Sequence, residues 1–208
     1  MPVSFDVFGT LVAVERSADP ATAVARALAD RDVRVPGDWT DAYAESHRSV
    51  ESGREYPLAA HVADALASRG VDAPRSTVAA AVRAAFAPET VRTREGALDA
   101  IAAARARGPV GLCSNCSVPG LAERTLAASR LDLEGFDAVV TSVDCGWRKP
   151  DRRAFAAVAD ALDSEVADLV HVGDDPKTDG GVTDAGGTFV RVGAGELASL
   201  AAGEGWPC

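Results

Sequence analysis

The stretch Val3-Ser4-Phe5-Asp6-Val7-Phe8-Gly9-Thr10-Leu11 constrains this chain more than any other. It sets one carboxylate inside an apolar run and follows it with a glycine and a hydroxyl. An ionisable Asp6 among Val3, Phe5, Val7 and Phe8 is costly to bury unless another group pairs with it. The run is short and rich in β-branched and aromatic residues, which predicts a buried strand over residues 3–8. Gly9-Thr10 then forms the turn at its carboxyl end, where open α/β sheets place their ligands. A plain core strand stopped by a polar turn has the same local pattern, so the case for Asp6 rests on what else converges on it.

Residues 12–18 read as a polar connector. From Asp19-Pro20 the pattern turns helical: an N-cap with proline in the first turn, then Val24, Ala27 and Leu28 on one face. Asp38 is placed to cap a second helix carrying Trp39, Tyr43, His47 and Val50 and ending at Ser52-Gly53. A third opens at Pro57 with Leu58, His61, Val62, Ala65 and Leu66, and a fourth spans residues 75–86 with Val78, Val82 and Phe86 four apart. Four helices with no strand between them predict an all-helical subdomain over residues 14–92, inserted after the first strand.

From Arg94 the rhythm changes to helices alternating with apolar runs at residues 109–113, 138–141, 169–173 and 188–192. That alternation predicts a doubly wound parallel α/β sheet built from residues 1–13 and 93–208. The tail after residue 193 reads as one short helix and a loose end.

At 208 residues, with 47% hydrophobic and 25% charged, the chain holds one good core plus an inserted subdomain. No apolar run approaches the length of a membrane span and the N-terminus lacks a secretory pattern, so a cytoplasmic protein without a membrane partner is expected. A formal net charge of -10 disfavours nucleic acid or an anionic membrane as a partner. Lys149 and Lys177 are the only lysines among many arginines. The cysteines, Cys113, Cys116, Cys145 and Cys208, are expected reduced. Cys113 and Cys116 have redox spacing, but no second pair at metal-ligand spacing accompanies them.

In a parallel sheet the strands of the second half all end on Asp6's edge. The second strand ends at Ser114-Asn115 and the fourth at Asp174-Asp175, while Trp147-Arg148-Lys149-Pro150 follows the third. Asp6, Asp174 and a further acid bring three negatives against one lysine. Such a cluster binds a divalent cation or retains protons.

Here the sequence resembles the haloacid dehalogenase (HAD) superfamily of hydrolases. Phe5-Asp6-Val7-Phe8-Gly9-Thr10-Leu11 is similar to its first motif, Ser114-Asn115 to its second, Arg148-Lys149-Pro150-Asp151 to its third, and Gly173-Asp174-Asp175 through Asp179 to its fourth. The helical insertion falls where the family carries its cap. The resemblance implies a HAD-like Rossmannoid core and an aspartyl nucleophile at Asp6. Thr10 and Ser114 would hold the transferred group's oxygens, with Asn115 in the second motif, and Lys149 would neutralise the nucleophile. It further implies magnesium at a metal set of Asp6, Phe8 and Asp174, supported by Asp175 or Asp179.

Two departures divide the functional reading. The phosphatase form of the first motif has a second aspartate where this chain has Phe8, and general acid–base assistance is typically worth roughly 10² to 10⁴ in rate. The dehalogenase branch places an aromatic there, and Ser114-Asn115 is similar to its second motif. The fourth motif resembles instead the metal-binding phosphatase type, and the dehalogenases' substrate-clamping arginine has no clear counterpart, Arg48 or Arg54 being the substitutes available. The expectation is therefore magnesium-dependent phosphoester hydrolysis of a small metabolite, a small-molecule substrate. The alternatives are metal-free 2-haloacid dehalogenation and a non-catalytic protein that binds a metal or a phosphate ligand. A response-regulator receiver shares the residue types but has its acids in another order and no place for the insertion. His171 and His61 read as satisfied interior residues, His47 as a substrate contact at most, and Trp39 and Tyr43 as interior of the insertion.

Overall fold

Short apolar runs and longer amphipathic ones alternate along the second half of the chain, and each class packs into its own layer. The computed structural model describes residues 1–15, 17–193 and 195–207. Cys208, Arg16 of the expected connector and Ala194 of the tail lie outside the described residues. The central layer comprises β1 (Val3–Phe5), β4 (Val110–Ser114), β5 (Ala138–Thr141), β6 (Val170–Gly173) and β7 (Thr188–Arg191), in the order β5-β4-β1-β6-β7. Every pairing in it is parallel. Val3 lies between Val110 and Val170, and Phe5 between Leu112 and Val172. Such strands are covered on both faces, which is why they read as unbroken apolar runs. The sheet is the doubly wound α/β layer expected from the strand–helix alternation.

On one face, α5 (Ala97–Arg105) and α10 (Leu197–Ala201) cover Val3, Phe5, Leu112 and Val172. On the other, α8 (Arg152–Ala161) and the single turn α9 (Gly181–Asp184) bring Phe155, Val158 and Val182 against Cys113 and Leu169. Asp151 caps α8 by accepting the Arg153 N–H at 2.9 Å. Two shorter helices, α6 (Leu121–Ala127) and α7 (Ser142–Cys145), follow β4 and β5.

A second pair of strands, β2 (Val12–Glu15) and β3 (Thr90–Thr93), runs antiparallel with Val12 opposite Thr93. Between them lie α1 (Pro20–Ala29), α2 (Trp39–Ala44), α3 (Leu58–Ala67) and α4 (Arg75–Ala85). These four helices bury Val24, Leu28, Trp39, Val62, Leu66, Val78 and Val82 in a core of their own, which Cys116, Val118 and Leu121 join from the sheet unit. Asp19 caps α1 as its sequence predicts, accepting the Thr22 N–H at 3.0 Å with Pro20 in the first turn. Among the described residues no helix is long and apolar enough to cross a membrane.

Three expectations are corrected. The first strand stops at Phe5, because the Val7 carbonyl accepts from both Leu11 and Val12 and the chain turns back on itself. The connector at residues 12–18 is partly strand, since Val12 and Val14 find their partner β3 only after the whole helical insertion. The second helix ends at Ala44 rather than near Val50. Asp38 accepts from Arg69 Nε at 2.8 Å instead of capping α2. His47 Nε2 lies 2.7 Å from the Ala42 carbonyl, which that N–H satisfies at the helix end.

Phe155 is fully buried, its ring centroid 5.3 Å from that of His171. Phe155→Ala should lower unfolding stability by about 3–5 kcal/mol, whereas truncating the exposed Leu133 should change it by no more than about 0.5 kcal/mol. Urea unfolding followed by circular dichroism checks both.

Candidate active site

Because β1, β4 and β6 are adjacent and parallel, the residues after each emerge on one edge of the sheet. Asp6, Ser114 and Asp174 stand there. The Asp6 N–H extends the ladder one step, donating to the Val172 carbonyl at 2.9 Å. Its Oδ1 accepts from Ser114 Oγ at 2.9 Å and from Lys149 Nζ at 2.8 Å. Among the described residues no hydrogen bond reaches Oδ2, so one oxygen is tethered while the other is available.

Lys149 is 3% exposed and is the hub of the site. Its ammonium also donates to the Cys113 carbonyl and to Asp179 Oδ1, each at 2.6 Å. Burial alone would push its pKa down. The charges of Asp6 and Asp179 outweigh that and hold it above the ordinary lysine value, so it stays charged. Asn115 works one step further back. Its Nδ2 donates to the Lys149 carbonyl at 2.9 Å and its Oδ1 accepts the Lys149 N–H at 2.8 Å, so both ends of the carboxamide hold that backbone.

Asp174 approaches from β6. Thr10 Oγ1 donates to its Oδ1 at 2.9 Å, and among the described residues its Oδ2 accepts no hydrogen bond. Gly9 makes the approach possible. Its φ of 93° is in the left-handed region, and a Cβ there would lie 2.6 Å from Asp174 Oδ2. Arg94 pins this loop, its guanidinium donating to the Gly9 carbonyl and, at 3.1 Å, to that of Gly193. Phe8 lies partly buried against both the sheet core and the helical core.

Asp179 is buried, and its carboxylate is fully engaged. Oδ1 faces Lys149 and His171, while Oδ2 accepts the Asp175 N–H at 3.0 Å. Gly173 leaves it room, since a Cβ there would meet the Asp179 carboxylate at 2.2 Å. Asp175 is not part of this cluster. Its carboxylate accepts from the Lys177 N–H at 2.9 Å and Thr178 Oγ1 at 3.2 Å, closing the local turn.

His171 is the satisfied interior residue its apolar strand predicts, and it also stands beside the charges, a place its local sequence does not reveal. Strand register puts it opposite Ser4, and Nδ1 lies 2.8 Å from Ser4 Oγ. Nε2 is 3.2 Å from Asp179 Oδ1. Lys149 Nζ lies 3.4 Å from the same nitrogen, but its three protons are taken by Asp6, Asp179 and the Cys113 carbonyl. The acceptor-only Asp179 carboxylate therefore sets the tautomer: Nε2 carries the proton and Nδ1 accepts from Ser4. Burial, and then the charge of Lys149, hold the His171 pKa below its ordinary value, so the ring is neutral. A polar pair at matched positions of two apolar strands is the one sequence signal that points to it. Nothing in the sequence marked Arg94.

Asp6, Asp174 and Asp179 each offer a carboxylate oxygen, and these atoms lie within 4.8 Å of one another. Among the described residues Lys149 is the only ammonium paired with them. Two unit charges of like sign at about 4 Å repel by roughly 4 kcal/mol at an effective dielectric near 20. With Asp179 saturated, the open oxygens of Asp6 and Asp174 form a hard, anionic donor set that suits a divalent cation such as magnesium.

The same network sets an acid limit on stability. Burial would raise the Asp179 pKa, but the hydrogen bond from His171 and the charge of Lys149 outweigh it and hold its carboxyl at about 2. The unfolded chain takes up this proton near pH 4 and the folded one does so lower, so the contribution is full above the unfolded value and lost as pH falls toward 2. Urea unfolding between pH 7 and pH 3 should show a shallower acid decline in Asp179→Asn than in the parent. An identical slope would refute this account of Asp179.

A family model for haloacid dehalogenase-like hydrolases matches residues 3–181. No curated protein matches the sequence significantly. Among solved structures, the candidate HAD-hydrolase YfnB from Bacillus subtilis, bound to magnesium, is similar at 19% identity and a TM-score of 0.57, covering 92% of this chain and 87% of that one. The L-2-haloacid dehalogenase of Xanthobacter autotrophicus is similar at 23% identity and a TM-score of 0.57, covering 99% and 84%. A predicted phosphoglycolate phosphatase from Haemophilus somnus gives 17%, 0.56, 93% and 85%. These identities speak for the fold alone. The family model spans both the sheet unit and the helical insertion, and on that match the chain belongs to the haloacid dehalogenase-like hydrolases.

Proposed function

We propose that this protein is a magnesium-dependent hydrolase of small phosphoesters, acting in the cytoplasm through Asp6 as nucleophile, with residues 14–92 as a helical cap over the site. The observation that carries this reading is the open carboxylate oxygen of Asp174, set beside Asp6 and oriented by Thr10. Asp6 and Asp174 would hold the magnesium, with Phe8 offering its main-chain carbonyl. When bound, the ion supplies positive charge to the phosphoryl oxygens.

The Asp6 carboxylate attacks phosphorus, oriented by Ser114 and Lys149. The ester P–O bond breaks, and the leaving oxygen takes its proton from water, because Phe8 has none to give. Water then cleaves the aspartyl phosphate, returning Asp6 and releasing phosphate. Lys149 and Ser114 face the negative charge throughout. Without an acid at position 8, this route favours esters whose leaving group is stable as an anion.

Phe8 also supports a second reading, metal-free dehalogenation of a 2-haloacid, since a halide needs no proton. That substrate needs a cation for its carboxylate. Arg48 is paired with Asp64, and Arg54 lies over Trp147 with its guanidinium carbon 4.8 Å from the ring centroid. The excess of carboxylates beside Asp6 weighs against an anionic substrate without a metal.

The test compares phosphate release from p-nitrophenyl phosphate with halide release from 2-chloropropionate, each with magnesium and with chelator. Phosphate release that requires magnesium is expected, with Asp6→Asn lower by at least about a thousandfold. Halide release that survives the chelator would replace this proposal with the second reading.

A further inference from the structure

Contacts at its ammonium are only half of what places Lys149; the backbone that carries it must be held as well. On the sheet side Asn115 holds that backbone at both its N–H and its carbonyl. On the other side the grip comes from the helical insertion. The N–H of the neighbouring Arg148 donates to the Gly53 carbonyl at 2.8 Å, and the Glu55 N–H donates to the Gly146 carbonyl at 2.9 Å. Arg54 and Trp147 form an antiparallel bridge between these bonds. Residues 53–55 thus run as a strap along the segment that leads into Lys149.

Glu55 is the buried anchor of this strap, with its side chain 1% exposed. Its Oε2 accepts from Ser142 Oγ and, at 2.9 Å, from Arg148 Nη1, which also donates to Ser117 Oγ at 2.9 Å. Ser142 Oγ in turn accepts the Cys116 N–H at 2.8 Å. Oε1 is buried and, among the described residues, has no hydrogen-bond partner. A carboxylate buried with one oxygen unmatched, against an arginine that is 43% exposed, is a poor source of stability. What the arrangement does provide is direction: it ties Arg148 to the segments that follow β4 and β5 and to the insertion at once.

We propose that Glu55 is a positioning residue for Lys149: the strap and Asn115 grip the Arg148-Lys149 backbone from opposite partners and so aim the ammonium at Asp6. The inference rests on the role given to Lys149 in the reaction above. Misplacing a reacting group by about 1 Å costs on the order of a hundredfold in rate.

The chain has only two lysines, Lys149 and Lys177. Lysine-selective ¹³C labelling of the whole protein therefore gives two side-chain environments, and Lys149→Arg identifies one of them. In Glu55→Ala and the volume-conserving Glu55→Gln, the Lys149 ¹³Cε signal should shift and that of Lys177 should not. The kcat for p-nitrophenyl phosphate with magnesium should fall about ten- to a hundredfold in Glu55→Ala, with KM within about threefold. Glu51→Gln, which removes only an exposed pair with Arg153, should leave both signals in place. Native circular dichroism and cooperative melting establish that each variant folds, and Glu55→Gln carries the test if Glu55→Ala does not. An unmoved Lys149 signal in a folded Glu55 variant overturns the proposal. If the parent releases no phosphate yet the Lys149 signal still shifts, the hydrolysis reading falls and the positioning role stands.

Discussion

The site depends on one buried ammonium. Taking the charge of Lys149 out of water is costly, and that cost is offset only because Asp6, Asp179 and the Cys113 carbonyl all lie within 2.8 Å of it. None of the three is local to Lys149 in sequence. They arrive from the ends of β1 and β4 and from the turn after β6, so a parallel sheet with these strands adjacent is the condition for the lysine to be charged and buried. The same ammonium sets the local electrostatics. It keeps Asp179 ionised and disfavours a proton on His171, yet it leaves the acid cluster with an excess of negative charge.

Space is the second constraint. Asp174 and Asp179 both reach the cluster past glycines, Gly9 and Gly173, where a Cβ would collide with the carboxylate. Around those openings the backbone is held by side chains distant in sequence, Arg94 at Gly9 and Asn115 at Lys149. A free oxygen on Asp6 and another on Asp174 survive because the remaining oxygens are already matched. That division between engaged and open atoms makes the cluster suitable for chemistry rather than only for stability.

Much of this was readable in the residues. Short unbroken apolar runs located the sheet strands, because a parallel sheet covered on both faces needs them, and the period-3.6 pattern located three of the four inserted helices, because each buries one face against a core. Asp6, Ser114 and Asp174 stood out because polar groups at the ends of apolar strands have few structural reasons to be there, and Lys149 because it is one of only two lysines and follows the third strand of that series. The second helix and the β2 strand were misread where a partner far along the chain decided the matter. Arg69 took Asp38 away from the α2 cap, and β3 claimed Val12 and Val14.

The sequence by itself determined which residues would lie inside, where the turns would fall and which strand ends carry chemistry, since these follow from local periodicity and from the free-energy cost of burying charge. Only the tertiary structure decided how the acids divide their work. Asp175 closes a turn while Asp179 holds Lys149, and His171 joins the charged network through its register with Ser4. Only the tertiary structure, too, brought Glu55 of the insertion against Arg148. Such pairings are set by strand order and by packing between distant segments, and neither leaves a periodic trace in the chain.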